Sequence, residues 1–294
     1  MKFGARIPHW GDSASPEAIL AVARRAEQLG FESLWLGDHL AVPTSDTSSA
    51  RDKFYEALSV LGFLAGVTTS VKLGTGVIII PYRHPVYLAG SLATADCLSG
   101  GRLIFGASSG WMEEEFRALG VPFRNRGPRT DEYLRVVQYL WETPRPHSFS
   151  GRFVDFRDIK YEPAPVQRPK IPLWIGGNSR AAMERAVKMG DAWFPLHIGT
   201  DRLRRRVDSF DEACQSLGRE QRPLLAMNTS VDFKIKDEGA SSGLFGSVDR
   251  VMASLGEYSD AGLDYLVSDF PREGIPEFVE SMETFAERVI PAFR

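Results

Sequence analysis

A chain of 294 residues, 43% hydrophobic and 25% charged with a formal net charge of −3, has the composition of an ordinary globular protein. That balance excludes wholesale disorder and leaves no basic footprint for nucleic acid. The 2 cysteines make no disulfide framework, no apolar run nears a membrane span, and Met1-Lys2-Phe3-Gly4 opens no signal peptide, so a cytoplasmic protein with its own large core is expected.

In chain order, short β-branched or aromatic runs alternate with longer helical ones. Lys2–Pro8 predicts a strand, and Ser15-Pro16-Glu17 a helix start with Ser15 as N-cap and Pro16 in the first turn. Ile19, Leu20, Val22, Ala23, Ala26 and Leu29 share one face of that helix, which stops at Gly30. Phe31–Leu36 predicts the next strand, Phe54–Thr69 a helix, and Lys72–Ile80 an apolar strand stopped by Pro81. Then come a helix over Tyr87–Leu98, a strand over Arg102–Ala107, and helices over Glu113–Leu119 and Asp131–Trp141. Thr143–Pro172, rich in Pro, Arg and aromatics, interrupts the rhythm, with a small hairpin expected around Ser150-Gly151-Arg152-Phe153. Strands over Ile171–Ile175, Ala192–Pro195, Leu224–Ile235 and Tyr265–Val267 alternate with helices over Ser179–Met189, Asp201–Leu217, Val248–Tyr258 and Pro276–Val289. Asp237–Gly246, rich in Gly and Ser, reads as a mobile loop. Close to eight strand–helix units with continuous apolar strands predict an α/β fold, a (β/α)8 TIM barrel in one domain over 1–294. The 143–172 insertion, placed after the fourth unit, is expected over the barrel mouth.

In a parallel barrel, function gathers where strands end. Those places hold His9 and Trp10, Asp38 and His39, Tyr82 to His84, Ser108 to Trp111, Gly176 to Ser179, and His197. Trp174-Ile175-Gly176-Gly177-Asn178-Ser179 runs from a strand through two glycines into a helix start, where close backbone approach and free N–H groups favour a phosphate. A tight turn with ordinary capping is the plainer account. Asp38-His39 is the acid–base candidate, although adjacent strand residues point to opposite faces and imply no bond between them. Gly106-Ala107-Ser108-Ser109-Gly110 matches a nucleophile elbow, so a serine hydrolase with Ser108, Asp191 and His197 is a rival, weakened by the short Asp191–His197 spacing. Gly74-Thr75-Gly76 lacks the third glycine of a dinucleotide fingerprint, and no metal-ligand spacing occurs.

Together, Ala26 to His39, Leu73 to Val77, Arg83-His84-Pro85, Asp96 to Leu103, Gly110-Trp111, Trp174 to Gly177 and Gly190 to Trp193 resemble the luciferase-like monooxygenase superfamily, within it the branch using coenzyme F420, a deazaflavin. The likeness runs over roughly Met1–Pro195. It implies a cofactor in the barrel mouth, F420 or alternatively FMN, with His39 and Asp38 as catalytic groups. It implies cofactor contacts from Thr75, Gly76, Val77, Ser109, Gly110, Trp174, Gly176, Gly177, Asn178 and Ser179, with a non-proline cis peptide at Gly76-Val77. Trp10, Trp111 and His197 would line the substrate pocket. The sequence departs from the sugar-phosphate dehydrogenase members, which carry a glutamate where Trp111 stands; Glu113, Glu114 and Glu115 come too late to match it. Hydride transfer between F420 and a small organic substrate is therefore the expected activity. An FMN monooxygenase fed by a separate reductase and a non-catalytic flavin-binding barrel are alternatives, and a homodimer is expected.

Overall fold

Ser15 caps the first helix as its spacing predicts, its hydroxyl accepting from the Ala18 N–H at 3.1 Å. Pro16 opens α1 (Pro16–Gln28), which buries Ala18, Ile19, Val22, Ala23 and Ala26 and ends before Gly30 at φ 77°. In the computed structural model, which describes residues 1–44, 53–235, 243–272 and 274–293, this helix is the first of a ring around a sheet. Most of the Asp237–Gly246 loop lies outside the described residues.

Eight strands build that sheet: β1 (Lys2–Arg6), β2 (Ser33–Leu36), β3 (Lys72–Thr75), β4 (Leu103–Ser108), β5 (Leu173–Gly176), β6 (Ala192–Phe194), β7 (Leu224–Asp232) and β8 (Tyr265–Asp269). Each pairs in parallel with its sequence neighbour, and β8 pairs back onto β1 with Lys2 opposite Tyr265, closing a TIM barrel. Outside it stand α2 (Ala57–Val67), α3 (Pro85–Ser99), α4 (Glu113–Ala118), α5 (Arg126–Glu142), α6 (Arg180–Met189), α7 (Thr200–Ser216), α8 (Val248–Asp260) and α9 (Ile275–Thr284).

Two cores follow from strand alternation. Outward residues such as Phe3, Ala5, Leu34, Leu36, Leu73 and Phe105 pack under the helices. Inward ones, Trp35, Ile104, Trp174, Phe194, Tyr265 and Val267, fill the barrel. Large and small residues interlock there. A Cβ added at Gly4 or Gly74 would stand 2.4 or 2.5 Å from the Trp35 indole, so both strands are glycine where that ring crosses the lumen.

The expected strand over Lys72–Ile80 is broken. It stops at Thr75, passes a cis Gly76–Val77 peptide, and resumes at Ile78–Ile79. Gly74 faces Ile104 and Ile78 faces Ala107, so three residues on this strand oppose two on β4, a bulge. Apolarity alone hid the break, because Val77 is as apolar as the strand it interrupts.

The insertion lies elsewhere than expected. Residues 143–172 join α5 to β5, a helix-to-strand connection, so they leave from the end opposite the mouth. A hairpin of His147–Ser150 and Asp155–Ile159 then runs back along α5. The buried Glu132 of α5 accepts the N–H groups of Arg152, Phe153 and Val154 at 2.7 to 2.9 Å and fixes its turn. Among the described residues, no helix is long and apolar enough to cross a membrane.

Candidate active site

At the C-terminal ends of the strands, Asp38 and His39 part company. Asp38 turns outward and is buried, accepting two hydrogen bonds from Arg83 at 2.7 and 2.8 Å and one from the Ile79 N–H at 2.9 Å. Arg83 also reaches Glu56 at 2.7 Å. Burial opposes the Arg83 charge, but the two carboxylates overcome it and hold the guanidinium pKa above its ordinary value. Asp38 thus ties β2 to the segment that resumes after the bulge. Its oxygens are spent on that task, which corrects the expectation of an acid–base group beside His39.

His39 turns to the mouth, and Glu115 meets it. Nδ1 lies 3.0 Å from Glu115 Oε2, the oxygen that also accepts from Tyr82 at 2.7 Å. Oε1 takes the N–H groups of Leu40 and, at 3.0 Å, Ala41. Glu115 is 0% exposed. Burial pushes its pKa up, but the bonds from His39, Leu40, Ala41 and Tyr82 win and hold it at about 2. Four donors around one carboxylate saturate its acceptor sites.

This glutamate is the residue that sequence reasoning passed over. Three successive glutamates at a helix start read as a solvated first turn. Yet Met112, Glu115, Phe116 and Leu119 follow i, i+3, i+4, i+7 spacing, and Met112, Glu115 and Phe116 are buried. A charge on the apolar stripe needs an internal partner, and that was the available signal.

Aromatic rings continue the rim from His39. Trp111, 65% exposed, lies edge-on to the imidazole at 6.4 Å, and Phe54 flanks it at 5.4 Å. Phe54 stacks at 6.2 Å on Trp10, whose loop pairs with the Phe54 loop through a bridge. The guanidiniums of Arg6 and Arg272 sit 4.4 and 3.6 Å from the Trp10 ring. Asp269 contacts both, at 3.9 Å from Arg6. His197, at φ 45°, faces the same charges; burial lowers its pKa, with Asp269 pulling up and Arg6 pushing down. The structure so joins Trp10, His39 and Trp111 in one rim and sets His197 by the charged end of it.

The expected cofactor contacts divide. Val77 lies over the floor: a Cβ at Gly176 would stand 2.6 Å from it and one at Gly106 3.4 Å. Gly177, at φ 125°, donates to Phe194 O at 3.3 Å and leads into α6. Ser179 is exposed and caps that helix, its hydroxyl accepting from the Ala182 N–H. Gly76, Ser109 and Gly110 lie beside the bulge and after β4, both at the mouth end. Other residues are engaged elsewhere. The Asn178 amide exchanges two bonds of 2.8 Å with the Leu196 backbone and so pins the loop after β6. Thr75 is fully buried with its hydroxyl bonded to Gly106 N and O, and Trp174 packs on Trp35 and Tyr265 inside the barrel. Both stand below the mouth.

The hydrolase arrangement is absent. Asp191 precedes β6 and accepts from the Leu173 N–H at 2.7 Å at the barrel's closed end, whereas His197 follows β6 at the open end. They lie at opposite ends of β6.

Residues 1–237 match the model of the luciferase-like monooxygenases. The chain belongs to that family. It is 28% identical over 211 residues, 70% of its length, to the oxygenase component of the flavin-dependent trigonelline monooxygenase of Acinetobacter baylyi, covering 56% of that protein. To the FMNH2-dependent dimethylsulfone monooxygenase of Pseudomonas putida it is 31% identical over 190 residues, 64% of this chain and 50% of the other. The chain thus spans about half the length of these curated relatives. In fold it matches an F420-dependent secondary alcohol dehydrogenase with a TM-score of 0.85 at 19% identity, covering 100% of this chain and 99% of the other. The two curated relatives are named as flavin-dependent and FMNH2-dependent monooxygenases, and the likeness to the F420-dependent dehydrogenase is one of fold.

Proposed function

We propose that this luciferase-like barrel transfers a hydride between coenzyme F420 and a small organic substrate, with His39 handling the coupled proton. One observation carries the reading: at the open end of the strands a histidine is clamped by a buried carboxylate and walled by Trp111 and Phe54. Such a group suits proton exchange with a bound substrate.

The residues around it fit a phosphorylated tricyclic cofactor. Gly177 lets the backbone come close to a ligand, and the start of α6 behind it favours an anion through its dipole and first-turn N–H groups. Val77 gives an apolar floor. When bound, the deazaflavin supplies the hydride at its central ring carbon. The chain's own part is to hold that group between Val77 and the rim, to keep water away with Trp111 and Trp10, and to give or take a proton at His39.

The FMN oxygenase, served by a separate reductase, is the second reading, favoured by the flavin dependence of the trigonelline monooxygenase and the FMNH2 dependence of the dimethylsulfone monooxygenase. Titrating the purified protein with oxidised F420 and, separately, FMN, while following the fluorescence of its 6 tryptophans, tests the choice. Saturable quenching by F420 with none by FMN supports the proposal; the reverse overturns it in favour of the oxygenase. Tight binding of either cofactor without turnover over a broad substrate panel leaves the non-catalytic barrel. With F420 bound, His39→Ala should lower turnover by ~10²–10⁴ and spare cofactor affinity. We further propose a homodimer, which sedimentation of the purified chain tests.

A further inference from the structure

We infer that Glu115 is a positioning residue that locks neutral His39 in the Nδ1–H tautomer, so that Nε2, as a bare lone pair, is the atom His39 presents to the barrel mouth. An ionised carboxylate only accepts hydrogen bonds. At Oε1 both neighbours are backbone N–H groups, which cannot reverse, and at Oε2 the neighbours are Tyr82 OH and His39 Nδ1. A carboxylate so surrounded stays ionised at neutral pH. A lone pair on Nδ1 would then face oxygen lone pairs at 3.0 Å, so Nδ1 must carry the proton. Among the described residues Nε2 has no hydrogen-bond partner, while the His39 side chain keeps 19% exposure. The opposite tautomer would leave the buried carboxylate short of a donor and turn Nε2 into a donor with no acceptor.

The consequence for chemistry, which alone rests on the proposed oxidoreductase reading, is directional. Neutral His39 would take a proton at Nε2 from a substrate hydroxyl whose hydride goes to the oxidised deazaflavin of that reading. Doubly protonated His39 returns a proton from the same atom in the reverse reaction. The proton stays within the pair of substrate oxygen and Nε2, and Glu115 remains a carboxylate throughout.

Two-dimensional 1H–15N multiple-bond spectra of protein carrying 15N-histidine test the assignment without cofactor or substrate. The protein has 5 histidines, and the His39 signals are those missing from His39→Gln. At pH 8 the expected wild-type pattern is a protonated-type shift for Nδ1 and a bare-nitrogen shift for Nε2. The inverse pattern in the wild type overturns the inference with no further variant. Glu115→Gln should bring in the Nε2–H form, whereas Tyr82→Phe, which removes a donor that does not touch His39, should keep the wild-type tautomer. A Glu115→Gln protein that folds and retains pure Nδ1–H contradicts the role given to the carboxylate. Because these spectra need no loaded enzyme, their failure is separable from failure of F420 to bind.

Discussion

Asp38 and Arg83 are joined by two parallel hydrogen bonds of 2.7 and 2.8 Å, with the Asp38 side chain sealed from solvent. Removing Asp38 leaves the buried Arg83 guanidinium with Glu56 alone and orphans the Ile79 N–H, so the cost approaches that of breaking a buried pair, about 3–5 kcal/mol. Asp38→Ala should therefore lower unfolding free energy by that amount in urea titration. A loss near zero would mean the pair is dispensable.

Acid should weaken the fold in two windows. His9 is fully buried, its Nδ1–H donating to Ile7 O and its Nε2 accepting the Gly37 N–H, and burial drags its pKa from 6.5 to about 3. A depressed folded pKa gives stability that is complete above the unfolded value and shrinks as pH falls from 6.5 toward 3. Glu115 acts lower: its stabilisation is present above 4.5 and lost on the way to about 2. Urea midpoints measured from pH 8 to 3 should fall below pH 6.5 and fall further below 4.5. Glu115→Gln should lose ~3 kcal/mol at neutral pH and show a flatter profile below 4.5.

Gly106 and Gly62 should respond oppositely to alanine. A Cβ at Gly106 would lie 1.8 Å from Thr75 O, a backbone atom of the bulge that cannot step aside. Nothing lies within 4 Å of one at Gly62, inside α2. Gly106→Ala should abolish soluble folded protein, and Gly62→Ala should raise stability by about 0.5–1 kcal/mol. Circular dichroism melts of the two variants check both signs.

Gly177 offers a test of the anion site. Its φ of 125° belongs to glycine, and an added Cβ would meet Ala182 Cβ at 3.1 Å. Gly177→Ala should weaken cofactor binding by tenfold or more in the fluorescence titration while melting within a few degrees of wild type. Unchanged affinity would move the phosphate elsewhere.

The barrel was legible because its signals are local. Ser15-Pro16 starts a helix by capping chemistry, and runs such as Leu103–Phe105 and Leu173–Ile175 are apolar on both faces, as a covered parallel sheet requires. What escaped depends on partners far apart in the chain. Glu115 and His39 stand 76 residues apart, and nothing in the local pattern of either names the other. Asp38 drew attention by adjacency to His39, although strand alternation already put it on the other face. Trp174 and Thr75 looked like ligand contacts because they neighbour the right glycines, but one step down a strand leads from the mouth into the packed interior.

The hairpin of 147–159 hangs on α5, remote from the chemistry, with its turn held by Glu132. Here the scaffold tolerates grafting: a tether, label or fused module spliced into this arm would ride on the enzyme's flank and leave the reacting end open.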